Sequence, residues 1–180
     1  MLMQMLGAGG IPLLTDGKRG ADEDNPNGYY ELDKVMHLRE NSAWLAEKGG
    51  NAVKVVVPVL RHLPLGLPYS ILFLERNLEE VVASQATMLA RKGVLPKLSD
   101  EKLMKVYANE IERTRLWIGG LARHSLLPLR HGDVIADPAA SAQRIADFLG
   151  RPLDVQRMAS VVDRRYVRAN RPKQSGVGVI

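Results

Sequence analysis

The stretch YSILFLERNLEEVVAS, residues 69–84, most constrains what this chain can fold into. Its apolar part, residues 70–74, has the length of a buried strand. Glu75, Arg76 and Asn77 make a polar turn, and residues 78–92 continue as a helix. Asn77 is a good N-cap, with Glu79 and Glu80 in the first turn, where the helix dipole favours carboxylates. Arg76 at the carboxyl end of a strand and Ser84 in the following helix can aim a guanidinium and a hydroxyl at one anion. Open α/β sheets bind ligands at those strand ends. An ordinary strand-turn-helix with an exposed arginine would use the same residues.

The flanking sequence repeats this alternation. Residues 1–6 read as the tail of a helix that ends at the glycine-rich turn Gly7 to Gly10, and residues 11–14 as a short strand. Residues 15–28 form a polar surface loop and residues 29–47 a helix closed by Gly49 and Gly50. The β-branched run 52–59 predicts a strand buried on both faces. Further helices are predicted over 100–123, 139–149 and 154–162, and a strand over 126–129. Strands alternating with helices give an α/β class with a mostly parallel sheet, in a single domain over residues 1–180. A chain of 180 residues, 46% of them hydrophobic, can bury a substantial core.

Charge and composition narrow the function classes. The chain carries a formal charge of +5, which suits a polyanionic nucleotide and equally a nucleic acid. Only 5% of residues are aromatic, and they do not interleave with the cations as in single-strand binders. There is no cysteine, hence no disulfide or thiolate metal site, which fits a cytoplasmic protein. No apolar run is long enough to span a bilayer, and residues 1–6 lack the basic start of a signal peptide. No membrane and no nucleic-acid partner is expected.

The 69–84 segment resembles the 3′-phosphate-binding segment of the sulfotransferase family. In that family the matching arginine and serine hold the 3′-phosphate of 3′-phosphoadenosine 5′-phosphosulfate (PAPS). A second segment, LPLRHGDVIADP at 127–138 followed by RIADFLG at 144–150, is similar to the family's late strand, "YEDL…DP" loop and "FLG" helix end. His131 and Gly132 stand where Tyr-Glu is usual. A third, DEDNPNGYYE at 22–31, resembles the "NPxGYxE" loop of bacterial sulfotransferase-like proteins. The resemblance implies that Glu31 lies near the sulfate acceptor as a general base, although Asn-Pro-Asn-Gly is also plain turn chemistry. KVVVP at 54–58 aligns with the "KTHLP" segment that carries a catalytic histidine in many cytosolic members. Lys54 and Pro58 match, and Val56 occupies the histidine position. Lys54 either snorkels at a strand entrance or reaches an anion, where the resemblance implies that it steadies the transferring sulfuryl group.

The resemblance covers residues 1–162 and departs from the family at its most specific element. The 5′-phosphosulfate loop, a glycine-rich turn between the first strand and first helix, has no counterpart. Gly7 to Gly10 follows a helix, whereas a phosphate loop follows a strand and opens a helix. Residues 1–6 correspond to the helix after that loop, so the chain reads as one entered after its first strand, with an exposed sheet edge that could pair with a second copy. His62 mimics the histidine motif by letter but lies too far along. His37, His124 and His131 are isolated and read as surface or helix-end residues. Arg164, Arg165, Arg168, Arg171 and Lys173 form a basic tail over 164–180.

The resemblance thus implies a three-layer α/β/α sandwich of the P-loop type. PAPS is the co-substrate, the acceptor is a small molecule or glycan with a hydroxyl or amine, and no metal is used. Lys54 and Glu31 are the catalytic candidates, and Arg76 and Ser84 hold the nucleotide. The alternative is a truncated, non-catalytic relative that binds adenosine 3′,5′-bisphosphate weakly or serves as an interaction module.

Overall fold

The order of elements follows the apolar runs of the sequence, with helices wherever a polar stretch of amphipathic period separates them. In a computed structural model the chain is described over residues 1–18, 20–21 and 28–163. The basic tail at 164–180 and the Asn-Pro-Asn turn at 25–27 lie outside the described residues. The elements are α1 (Leu2–Ala8), β1 (Leu13–Leu14), 3-10 turns at Asp33–His37 and Ala43–Glu47, β2 (Ala52–Val53), α2 (Val57–Leu60) and β3 (Tyr69–Glu75). They continue with α3 (Leu78–Arg91), α4 (Asp100–Gly119), β4 (His124–Arg130), α5 (His131–Ala136), α6 (Pro138–Leu149) and α7 (Val155–Ser160).

The class is α/β, and the strands form two parallel pairs. β1 pairs with β2, Leu13 opposite Ala52. β3 pairs with β4 over seven positions, from Tyr69 opposite His124 to Glu75 opposite Arg130. Pro128 sits inside β4 and cannot donate to a ladder, which fits a strand with one described neighbour. Alternation along the longer ladder sends its side chains to two clusters. Leu72, Leu74, Leu127 and Leu129 join Met5, Val134, Ile145 and Met158. Ile71, Tyr69 and Leu126 join Val35, Leu38, Leu60 and Ile118. Both faces of the β3–β4 ladder are therefore covered, the first by α1, α5, α6 and α7, the second by the 3-10 turns, α2 and α4.

The helix ends carry the expected chemistry. Asn77 Oδ1 accepts from the backbone N–H groups of Glu79 and Glu80 at 2.8 and 3.2 Å. Asp137 caps α6 through Ala140 N–H at 3.0 Å, Pro138 takes the first turn, and Gly150 closes the helix with φ of 59°, a left-handed conformation suited to glycine. Tyr107 of α4 donates to Gln85 of α3, tying the two long helices together.

Three expectations are corrected. The helix predicted over 29–47 is two short 3-10 turns. Tyr30 has φ of 50°, which stops a right-handed helix, and the N–H groups of Glu40 and Asn41 both close onto the His37 carbonyl. The strand predicted over 52–59 and buried on both faces is only Ala52–Val53. Pro58 favours the first turn of α2, and Val56 is 40% exposed. His131 to Ala136, expected as a loop, is a helix that follows β4 directly.

Ile145 is fully buried in the first cluster, whereas Leu95 is 87% exposed in the turn between α3 and α4. Ile145→Ala should cost about 2–5 kcal/mol in urea unfolding, and Leu95→Ala less than about 0.5 kcal/mol. Equal losses would show that the cluster around α6 is not the core.

Candidate functional site

Parallel strands deliver the residues that follow them to a common end, and two basic residues meet at the end of the β3–β4 ladder. The register sets Glu75 opposite Arg130, so the next residues, Arg76 and His131, leave the ladder side by side. Lys54 follows β2 directly. Two groups here feel the positive charge of others. His131 is half-buried and its pKa is lowered from 6.5 to about 4, first by burial, then by the charge of Arg76 and that of the chain's terminal amine. The Met1 amine is lowered by burial and then by Lys54. The lowered proton affinity of His131 and of the amine marks a region of positive potential, which an anion would relieve.

Lys54 does not snorkel freely. Its Nζ donates to Glu31 Oε1 at 3.1 Å and to the Tyr29 carbonyl at 3.2 Å. The structure thus brings together the two residues that sequence reasoning assigned to catalysis, 23 positions apart in the chain. Glu31 is held by its own backbone. Its carbonyl accepts from Thr15 Oγ1 at 3.1 Å and from the Asp16 N–H at 3.2 Å. Asp16 Oδ2 in turn accepts from the Asp33 N–H at 2.7 Å. Hydrogen bonds from the backbone of Asp33 and Lys18 hold the Asp16 carboxyl below its usual range. The left-handed Tyr30 lies between the two residues that Lys54 contacts, and a tyrosine at that φ is strained unless its surroundings fix it.

Arg76 is exposed, and no hydrogen bond or ion pair joins it to another described residue. Its base is braced by Arg115 of α4, whose Nη1 lies 3.5 Å from Glu75 Oε1, close enough for attraction but long for a hydrogen bond. Ser84 is exposed on α3, about 9 Å along the axis from Leu78 at 1.5 Å per residue. Arg76 and Ser84 are therefore on one segment but not in contact, and a shared anion would have to lie along the helix between them.

Gly7 to Gly10 closes α1. The Gly9 N–H donates to Met5 O, the Gly10 N–H donates to Gly7 O, and Gly10 has φ of 97°. It opens no helix. His37 pairs with Glu40 at 3.1 Å, and His62 lies in the turn after α2, its N–H on Val59 O. His131 stands at a helix end, as the first residue of α5, whereas the reading of His124 changes. His124 is the first residue of β4, its ring packed edge-on against Tyr69 with centroids 5.0 Å apart and both ring nitrogens buried without a hydrogen bond. His131 belongs to the basic cluster. Sequence reasoning passed over it because it was sought as a metal ligand or triad member. Its cue was positional: it follows a strand end as Arg76 does.

Among the described residues no group of three His, Asp or Glu side chains could hold a metal ion, and no helix is long and apolar enough to cross a membrane. No family model, curated protein or solved structure matches the chain.

The arrangement dictates a pH dependence. The folded imidazole of His131 takes a proton near pH 4 and the unfolded one near 6.5. Between those values the unfolded state binds more protons, so stability should fall as pH drops through this window, and His131→Asn should flatten that part of the profile. Arg76→Ala should raise the His131 pKa in an NMR titration of the folded protein. An unchanged value would separate the two side chains.

Proposed function

We propose that this chain is a sulfotransferase-like nucleotide-binding domain, a three-layer sandwich of the P-loop type whose basic strand ends take the phosphates of PAPS or of adenosine 3′,5′-bisphosphate. The observation that carries the reading is the meeting of Arg76 and His131 at the carboxyl end of the β3–β4 ladder, with Lys54 following the parallel strand β2. Arg76 is available to an anion, and His131 beside it is neutral at pH 7 and able to donate one hydrogen bond to a phosphate oxygen. The pairing of Lys54 with Glu31 supports the catalytic half of the reading.

PAPS supplies an activated sulfuryl group. In the proposed reaction the acceptor oxygen or nitrogen attacks sulfur in line, the bond from sulfur to the bridging phosphate oxygen breaks, and adenosine 3′,5′-bisphosphate leaves. Glu31 takes the acceptor proton once its carboxylate exchanges Lys54 for the acceptor hydroxyl. Lys54, so released, neutralises charge on the bridging oxygen. Such a transfer depends on positioning and charge neutralisation more than on covalent catalysis.

One observation favours a binding reading without turnover. The glycine-rich turn after α1 closes a helix, and no described segment forms a phosphate-cradling loop between a strand and a helix. The 180-residue chain should therefore bind adenosine 3′,5′-bisphosphate in preference to adenosine 5′-phosphate and transfer little or no sulfate. Arg76→Ala should weaken the bisphosphate by about 1.5–3 kcal/mol, the worth of a charge-assisted contact, and leave the monophosphate nearly unchanged. Ser84→Ala should act in the same direction but less. Calorimetric titration decides: equal losses for both nucleotides would remove Arg76 from the 3′-phosphate, and salt-dependent DNA binding that survives Arg76→Ala would favour a nucleic-acid protein instead. In any form that turns over, Glu31→Gln should lower the rate and spare nucleotide affinity.

A further inference from the structure

The turn between α3 and α4 holds apolar side chains out in solvent on a well-bonded backbone. Every residue from 91 to 100 is exposed, and Val94, Leu95 and Leu98 among them are 48%, 87% and 45% exposed. A single apolar residue on a surface needs no explanation, but three within five positions at the end of a helical hairpin form a patch. The Val94 N–H donates to the Leu89 carbonyl at 2.9 Å and the Gly93 N–H to the Ala90 carbonyl at 3.0 Å, with Gly93 at φ of 66°. This is the paired closure that ends a helix on a left-handed glycine. The residue after the glycine often packs back onto the last helical turn in such a closure, yet Val94 stays half-exposed. Pro96 fixes one further φ. The apolar tip is thus held in one shape, and a partner that takes it up has little backbone to order.

Charge selects the partner. No Asp or Glu occurs among residues 81–99, whereas Arg91, Lys92 and Lys97 do. Lys92 and Lys97 flank Val94 and Leu95 in the chain. Asp100 and Glu101 lie at the foot of the turn, in the first turn of α4 where the helix dipole favours them, and Lys102 and Lys105 follow. Because every residue of the tip is exposed, it encloses no small molecule. A stable protein interface takes about 20–30 residues a side, more than this tip supplies. An anionic lipid surface needs no matching shape. It offers hydrocarbon beneath a layer of negative headgroups, so leucine and lysine side chains each find their own depth. Contact of this kind needs no membrane-spanning helix.

We propose that the α3–α4 turn docks the protein on an anionic lipid surface. Val94, Leu95 and Leu98 enter the boundary between headgroups and acyl chains, and Lys92 and Lys97 stay at the headgroups. The proposal concerns the hairpin alone and holds whether or not the basic strand ends take a nucleotide.

Vesicle cosedimentation of the full chain, with no nucleotide present, tests it. Vesicles of phosphatidylcholine with about one-third phosphatidylserine should bind the protein at least roughly tenfold more tightly than phosphatidylcholine alone. Leu95→Ala changes no charge and spares the fold, and should weaken binding to the mixed vesicles about tenfold. Lys92→Gln combined with Lys97→Gln should weaken it by about tenfold or more. The cations between Arg164 and Lys173 can also attract anionic lipid, but adsorption through them would be unchanged by Leu95→Ala and would overturn the proposal. The chain has no cysteine, so a single introduced one can carry an environment-sensitive fluorophore. The label on Leu95→Cys should shift to the blue on mixed vesicles. The same label on Ala139→Cys should not, because α6 covers the opposite face of the ladder from α4. A shift at both positions or at neither, or equal binding to both kinds of vesicle, would overturn the proposal. So would equally tight binding to soluble polyglutamate with the same loss in Leu95→Ala, since the tip would then suit an acidic protein.

Discussion

The seven-position ladder between β3 and β4 organises the molecule. Its register sends Leu72, Leu74, Leu127 and Leu129 to one cluster and Tyr69, Ile71 and Leu126 to the other. The same register delivers Arg76 and His131 as neighbours. A slip of one residue would turn every buried leucine to the wrong face and separate the two basic residues at once. Core packing therefore enforces the geometry of the strand ends, although none of the basic residues belongs to the core.

The ion pair between Lys54 and Glu31 works differently. Both partners are partly exposed, 37% and 43%, so the pair contributes little to stability. Its value is positional. The backbone that carries the carboxylate is set by Thr15, Asp16 and the left-handed Tyr30, while the ammonium is set by the end of β2. Two weakly held charges fixed by separate backbones can exchange partners without unfolding anything, as the roles proposed for Glu31 and Lys54 would require.

Much of the fold was legible in the sequence. Asn77, Asp137 and Gly150 marked helix ends with side-chain or backbone chemistry that acts within a few residues, and the apolar run at 69–74 had one compact interpretation. Errors fell where local preference was overruled. The β-branched run after Ala52 looked continuous, but the strand stops at Val53 and Pro58 takes the first turn of α2. The 29–47 segment had helical spacing, but the backbone at Tyr30 and the turns after His37 broke it. Of the candidate site, Lys54 and Glu31 stood out in the sequence only singly. Their contact depends on tertiary structure that no spacing encodes, and the role of His131 depends on the ladder register, which pairs strands separated by two helices.

That separation has a kinetic consequence. α3 and α4 are the whole of the regular structure between β3 and β4, so docking of the two strands closes a long loop that a folded-back helical hairpin would shorten. The α3–α4 hairpin, joined by the bond from Tyr107 to Gln85, is local and can form early, whereas the parallel ladder is non-local and slow to nucleate. The speed at which the chain reaches its native state is thus expected to follow the docking of this ladder, which an early hairpin brings within reach. Until that hairpin closes, the apolar strand 69–75 stays unpaired, and this interval is when a second unfolded molecule competes for its edge.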